Sequence, residues 1–426
     1  MELLDLTEIL ADQKADFLGE DCASYCDRLE SKMLSSESKL AQVVIGVRRS
    51  GKSTLCTQYL RNHNINCGYI NFDDERLYNL KTEDLNKALK AIYILYGQVD
   101  TLFFDEIQNV EAWPLFINRL LRQNKHIFLT GSNSKLLSNE LMTHLTGRSN
   151  KVELYPFSFS EFCRMKDVDT VSITTKAAGL RQHALHEYIS NGGMPELLNE
   201  SNKKGYITGL FNAIIYNDIS KRFKVKYVDS LYKMAQLLAN NFSQEYSPSS
   251  ISKLLGISNH TVDKYYQYLK EAFLLIGIPK FSFKAKERNR MEKCYVIDIS
   301  FATELENTFS LENLGWKLEN AVCIELMRRY HHLYAEVFFY KEKSFEVDFV
   351  IAGGGKVKEL IQVSYDISSE KTMKREIQGL ITGAKKLNCK NLTLISFSDK
   401  KKLSVEGYEI NVIPAVDWFL EANSEK

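Results

Sequence analysis

One octapeptide constrains this chain more than any other segment: Gly46-Val47-Arg48-Arg49-Ser50-Gly51-Lys52-Ser53. It follows an apolar, β-branched run at 41–47 and opens a stretch, 53–62, that can be helical. This is the Walker A spacing in its strand–loop–helix setting. A helix start leaves its first N–H groups unsatisfied and carries about half a positive charge, so a loop feeding it can cradle phosphate oxygens. Gly46, Arg49, Ser50, Gly51, Lys52, Ser53 and Thr54 are therefore the expected nucleotide-binding set. Gly51 leaves room for phosphate against the main chain, Lys52 bridges β- and γ-phosphates, and Ser53 places a hydroxyl on Mg2+. Taken alone, the loop could also be a Gly-containing turn with a surface Lys.

A second element argues against that reading. Thr101-Leu102-Phe103-Phe104-Asp105-Glu106 is an apolar strand ending in two carboxylates, a Walker B pattern. Asp105 is expected to hold Mg2+ together with Ser53, and Glu106 to orient and polarise the attacking water. A third strand, 126–130, runs into Gly131-Ser132-Asn133-Ser134. In open α/β sheets ligands bind at the carboxyl ends of strands, so Ser132 or Asn133 is either a γ-phosphate sensor or part of a polar turn. Arg148 is read either as a finger acting on a phosphate, within or between subunits, or as a plain surface Arg.

Around these motifs the first block alternates strand-like and helical segments: strands at 41–47, 68–72, 101–104 and 126–130, helices at 53–62, 82–96 and 113–122. That alternation predicts a parallel sheet covered on both faces. After Pro156 the pattern turns helical, at 180–189 and 206–218, and again over 248–276. A helix at 318–330 then precedes strands at 337–340, 345–351, 359–364 and 392–396. At 426 residues, 44% apolar and 26% charged, the chain has room for about three domains and none of the marks of disorder. The longest apolar run, 272–279, is far below the ~20 residues of a membrane span. The acidic start, with Glu2, Asp5, Glu8 and Asp12, lacks a secretory signal, and the eight cysteines are scattered. The expectation is a cytoplasmic protein with reduced thiols, no zinc and no membrane association.

Residues 248–262 read as helix, Gly turn and second helix capped near Ser258, with Ile251, Leu254, Leu255, Ile257, Val262 and Leu269 as the apolar contacts of a helix-turn-helix. Its second helix would expose Asn259, His260, Asp263, Lys264 and Gln267 to a major groove. Only Lys264 is firmly cationic, and Asp263 would be repelled by phosphate. Net charge is +1, but residues 151–300 carry 21 basic and 15 acidic groups. The run Lys221-Arg222-Phe223-Lys224-Val225-Lys226 and the segment 280–293 supply much of the excess. These are solvated faces, or a phosphate-contact surface for DNA spanning 221–293.

Together, the loop, Phe-Phe-Asp-Glu-Ile-Gln at 103–108, Leu-Thr-Gly-Ser-Asn-Ser at 129–134, Leu-Thr-Gly-Arg at 145–148 and Tyr-Pro-Phe-Ser-Phe-Ser-Glu-Phe at 155–162 resemble a family of prokaryotic AAA-type ATPases. Asn191-Gly192-Gly193-Met194-Pro195-Glu196 resembles that family's Gly-Gly-x-Pro signature, and Leu318-Glu319-Asn320 with Glu346-Val347-Asp348-Phe349-Val350 resembles its C-terminal motifs. The match runs from about residue 40 to 365. The resemblance implies an α/β fold: a P-loop NTPase parallel sheet at 1–155, a helical lid region at 156–240, a winged helix at 241–300, and a restriction-endonuclease-like α/β domain at 301–426. In such architectures the winged helix often packs on the ATPase core rather than on DNA.

A restriction-type nuclease needs an acidic residue on one strand and Glu-x-Lys on the next. The resemblance places Glu319 and Asp348 as acidic ligands, but Gln362-Val363-Ser364 stands where Glu-x-Lys is expected. Gln362 and Ser364 make this a degenerate site, its domain retained for binding or assembly. The leading expectation is an ATP- and Mg2+-dependent ATPase whose cycle switches or moves a partner, with self-association open. Its rival is a DNA-binding regulator that uses ATP as a ligand, and an ATP-gated nuclease comes third.

Overall fold

The computed structural model describes residues 1–19, 25–131, 145, 147–284, 291–305, 313–330 and 335–421. They form two compact units, one of Met1–Leu154 with Glu271–Phe273, the other of Tyr155–Lys270 with Leu274–Lys426.

In the first unit, helix α1 (Leu3–Gly19) precedes strand β1 (Ala41–Ile45), helix α2 (Lys52–Asn62), β2 (Cys67–Asn71), α3 (Leu85–Tyr96), β3 (Thr101–Asp105), α4 (Trp113–Arg122), β4 (His126–Gly131) and β5 (Ser149–Glu153). The five strands make one sheet in the order β2-β3-β4-β1-β5, every pair parallel. All residues of β1 and β3 are buried, which is why both segments read as continuous apolar runs rather than alternating ones. Val44, Leu55, Cys56, Tyr59, Phe103 and Phe128 form a core that α1 joins through Phe17, whose ring stacks on Tyr69 at 4.4 Å. The strand order sets β4 between β1 and β3. The carboxyl ends of these three neighbours therefore lie side by side, below the loop 46–51.

The second unit begins with helices α5 (Phe159–Met165), α6 (Thr175–Asn191), α7 (Lys203–Ala213), which continues into a π-helical stretch at Ile214–Lys221, and α8 (Val228–Asn240). A reciprocal capping box between Ser158 and Glu161 starts α5. Gly192, at φ +89°, leaves no space for a side chain: a Cβ there would lie 1.9 Å from Asp298 Oδ1. The buried Asp298 accepts a 2.7 Å hydrogen bond from Gly193 N, so the Gly-Gly pair forms the seat of a carboxylate.

Next come β6 (Gln244–Glu245), α9 (Pro248–Leu255), α10 (Asn259–Glu271), β7 (Leu275–Pro279) and β8 (Glu292–Val296). The strands form an antiparallel sheet in the order β6-β8-β7. Gly256, at φ +65°, turns α9 into α10, and Ser258 Oγ accepts from Thr261 N at 3.2 Å. Ile251, Val262 and Leu269 are buried as expected, but Leu254 is 67% exposed, so it belongs to the surface and not to the helix contact. The helical reading of 248–276 also runs too far, since Leu275 already pairs with Val296.

The remainder is α11 (Leu314–Tyr330), β9 (Glu336–Lys341), β10 (Glu346–Gly353), β11 (Lys356–Ser364), α12 (Glu370–Leu387), β12 (Leu392–Ser396), β13 (Lys401–Val405), β14 (Tyr408–Pro414) and α13 (Ala415–Glu421). Its six-stranded mixed sheet has the order β13-β14-β12-β11-β10-β9. Leu318, Val322 and Cys323 of α11 share one core with Phe349, Ile351 and Ile361, while Ile377, Leu380 and Ile381 of α12 share another with Val350 and Leu360. No helix among the described residues is long and apolar enough to cross a membrane. The described cysteines, Cys26, Cys56, Cys67, Cys163, Cys294, Cys323 and Cys389, are buried, and no disulfide joins any two of them.

Candidate functional site

The loop between β1 and α2 is shaped by its surroundings as much as by its own residues. A Cβ on Gly46 would lie 2.2 Å from Leu154 O, whose residue is tied to β1 by a 2.7 Å bond from Leu154 N to Ile45 O. Only glycine fits that approach. Ser50 is fully buried, Arg49 is exposed with φ +66°, and Lys52, buried, donates from Nζ to Val47 O at 3.1 Å. The Lys52 ammonium thus lies against the inside of its own loop. Arg28, from the irregular segment before β1, donates to Ser50 O at 2.9 Å and braces the loop from outside the motif.

Ser53, in the first turn of α2, donates to Asp105 Oδ1 at 2.8 Å. The same oxygen accepts from Thr130 Oγ1, and Tyr69 OH reaches Asp105 Oδ2 at 3.4 Å. Thr130 also accepts from Glu106 N at 3.0 Å, so one hydroxyl at the end of β4 holds both acidic residues at the end of β3. Burial first, and the Glu106 charge second, push the Asp105 carboxyl up to about 6, against hydrogen bonds from Thr130 and Ser53 and the nearby Lys52 charge. Glu106 sits at φ +51°, ψ +41°, an unusual backbone for a residue with a side chain, and its carboxylate accepts from Gln108 Nε2.

The structure therefore brings Gly46, Ser50, Gly51, Lys52, Ser53, Asp105 and Glu106 to one place, with Thr54 following in α2. Ser132 and Asn133 lie outside the described residues. Arg148 is not part of this cluster within its own chain. It is exposed, its carbonyl accepts from Ala41 N at the far end of β1, and its guanidinium contacts Asn118 Oδ1 at 3.4 Å. Four residues of β1 separate that end of the sheet from the loop. Thr130, Arg28, Tyr69 and Gln108 were not singled out from the sequence. Thr130 had a signal, a polar residue closing an apolar strand; Arg28, 22 residues before its partner, had none.

Among the described residues no group of three or more His, Cys, Asp or Glu is placed to hold a metal ion. Ser53 and Asp105 offer two oxygens in contact, the usual small protein share of an Mg2+ that takes its other ligands from water and phosphate. The residues fit that cofactor.

The C-terminal set occupies a separate cavity of about 650 Å3 lined by Glu319, Asp348, Gln362 and Ser364. Asp348 accepts from Val363 N at 2.9 Å, and Gln362 joins Asp348 N to Glu376. Ser364 Oγ turns to Asp366 O at 3.2 Å. Lys293, read from the sequence as the end of a basic run, is instead buried here against Glu319 at 3.0 Å. Glu292 pairs with Lys270 at 2.9 Å, so this end of 280–293 is not a free cationic face; Lys286, Arg288 and Arg290 lie outside the described residues.

On α10, Asn259, His260, Asp263, Lys264 and Gln267 are exposed, and Asp263 accepts from Tyr246 OH at 2.9 Å. The basic run lies along the same helix: Phe223 stacks on Tyr268 at 3.9 Å, and Tyr227 N donates to Tyr265 OH at 3.2 Å. Lys221, Lys224 and Lys226 are exposed beside it.

Residues 38–163 match the family model described as an AAA domain. Residues 182–312 and 314–417 match two domains of unknown function, DUF8612 and DUF4143. The chain is 35% identical to the uncharacterized protein MJ1544 of Methanocaldococcus jannaschii, over 98% of this chain and 94% of that protein. It is 31% identical to an uncharacterized protein of Haemophilus influenzae, over 92% of this chain and 97% of that protein. A solved structure of AMPPCP-bound DnaA from Aquifex aeolicus is 14% identical with a TM-score of 0.29, covering 55% of this chain and 83% of that one, too slight a likeness to bear on function.

Proposed function

The chain belongs to the family of these uncharacterized archaeal and bacterial proteins and carries an AAA domain at 38–163, and from that premise we propose that it is a Mg2+-dependent ATPase whose cycle acts on a partner. The observation that carries this reading is the contact of Ser53 with Asp105 beside Lys52, at the adjoining carboxyl ends of β1, β4 and β3. Gly46, Arg49, Ser50, Gly51 and Thr54 present main-chain N–H groups to the phosphates, and Lys52 exchanges its bond to Val47 O for phosphate oxygen. Ser53 and Asp105 hold Mg2+, which neutralises charge developing on the transferred phosphoryl group. Glu106, its main chain anchored by Thr130 and its carboxylate by Gln108, orients the attacking water. Ser132 or Asn133 senses the γ-phosphate, and Arg148 acts between subunits of a self-associated form.

The test is a pair of variants. Lys52→Ala abolishes ATP binding, whereas Glu106→Gln keeps binding and lowers turnover by roughly two to four powers of ten, the scale of a lost general base. Equal ATP retention by wild type and Lys52→Ala in a filter assay would refute the site.

Domain limits of 1–155, 156–240, 241–300 and 301–426 accompany this reading, in a cytoplasmic protein, with α9, α10 and the β6-β8-β7 sheet as a winged helix and the C-terminal fold as restriction-endonuclease-like without cleavage activity. A second reading, in which ATP is a ligand of a DNA-binding protein, is favoured by one observation. The Phe223–Tyr268 stack brings the run 221–226, with exposed Lys221, Lys224 and Lys226, against α10, and a cationic surface beside a helix that also exposes polar residues is suited to phosphate backbone.

A further inference from the structure

The acidic centre of the C-terminal fold already contains a cation. Lys293, on β8, is 5% exposed, and its ammonium lies 3.0 Å from Glu319 Oε1, 2.5 Å from Glu346 Oε1 and 3.7 Å from Asp348 Oδ1. These three carboxylates come from α11 and β10 and converge on one nitrogen. The rest of the centre is committed as well. Glu319 Oε1 also accepts from Tyr295 OH at 2.8 Å, Asp348 Oδ2 from Val363 N, and Glu346 Oε2 pairs with Lys341 at 3.0 Å. Gln362 spends both ends of its amide on Asp348 N and Glu376, and Ser364 faces Asp366 O. A divalent ion would need the oxygens that Lys293 occupies, and although it would compensate the carboxylates, the displaced ammonium, buried on β8, would be left without a partner. The residues present therefore do not fit a metal centre.

We propose that Lys293 is the resident cation of this centre: its ammonium takes the position between Glu319, Glu346 and Asp348 where a divalent metal would otherwise sit, so the wild-type centre binds no such metal. What the centre does instead is fasten. The line of alternating charges continues from Glu346 to Lys341 and from Lys341 to Glu245 at 2.5 Å, so β8 and β6 of the three-stranded sheet are both tied to β9 and β10 of the six-stranded one. The outer arm at Lys341 and Glu245 is partly exposed and contributes little, but the buried part around Lys293, with its carboxylates converging on one ammonium, fixes one arrangement of β8, α11 and β10.

The experiment uses full-length protein without nucleotide, titrated with Mn2+ alone while the electron paramagnetic resonance signal of free Mn2+ is counted. Wild type and Asp348→Asn are expected to give the same curve, because Asp348 holds no ion. Lys293→Met should gain one Mn2+ site at least about tenfold tighter than any wild-type signal, about 1.4 kcal/mol on the tenfold conversion. Lys293→Met/Asp348→Asn should lose it again. Two results overturn the proposal: a Mn2+ event in wild type that Asp348→Asn abolishes, or a folded Lys293→Met that gains none. Should Lys293→Met fail to fold, the wild-type and Asp348→Asn curves decide alone. The ATPase reading stands or falls separately, on Lys52 and Glu106.

Discussion

Replacing Asp105 by Asn should make the nucleotide-free protein more stable while removing the carboxylate proposed to hold Mg2+. The Asp105 carboxyl is pushed up to about 6 from an ordinary 3.8, chiefly by burial and then by the Glu106 charge. A folded state that binds a proton more tightly than the unfolded chain loses stability as pH rises between those two values. Below 3.8 both states are protonated and Asp105 is neutral to folding; above 6 the folded protein carries the whole penalty. About two units correspond to ~3 kcal/mol. Asn removes the charge yet keeps an acceptor for Ser53 and Thr130, and its amide can donate to Tyr69 OH where Oδ2 stood. At pH 8, without Mg2+ or nucleotide, Asp105→Asn should therefore melt higher by roughly 6–12 °C, at about 2–4 °C per kcal/mol for a unit of this size. The gain should shrink steadily toward pH 4. On the proposed site, adding Mg2+ and ATP should reverse the order, because the metal would compensate the wild-type carboxylate and would lose its charged ligand in the variant. Thermal melts across pH 4.5–8.5 decide it. A variant less stable than wild type at pH 8, or a difference that does not change with pH, would refute an electrostatic penalty at this carboxylate.

Gly46→Ala should destabilise the first unit by about 1–3 kcal/mol, the scale of an overpacked core, because its Cβ would meet Leu154 O at 2.2 Å; urea melts followed with ATP titration should show loss of both stability and nucleotide affinity. If DNA is a partner, neutralising Lys221, Lys224 and Lys226 together should weaken duplex binding and lower the slope of log K against log salt by up to about 3, one per lost phosphate contact. Identical salt slopes for wild type and the triple variant would remove this surface from consideration.

What could be read from residues alone follows from how local each feature is. The strand, loop and helix around Gly46–Ser53 and the strand ending at Asp105 are contiguous, so the pattern of apolar runs and glycines places them. The order β2-β3-β4-β1-β5 is not contiguous: right-handed crossovers permit several orders, and apolar runs such as 101–104 and 126–130 carry no mark of which strand lies between which. That order makes Thr130 a partner of Asp105, and the parallel pairing of β5 with β1 puts Arg148 at the far end of the sheet from the loop. Lys293 shows the same limit in electrostatics. Among Lys284, Lys286, Arg288 and Arg290 it looks like one more exposed cation, but the carboxylates that bury it stand 26, 53 and 55 positions later. Charge along the sequence therefore describes Lys221–Lys226, whose lysines do face solvent. It misdescribes Lys293, because burying that ammonium became tolerable only when β8, α11 and β10 folded around it.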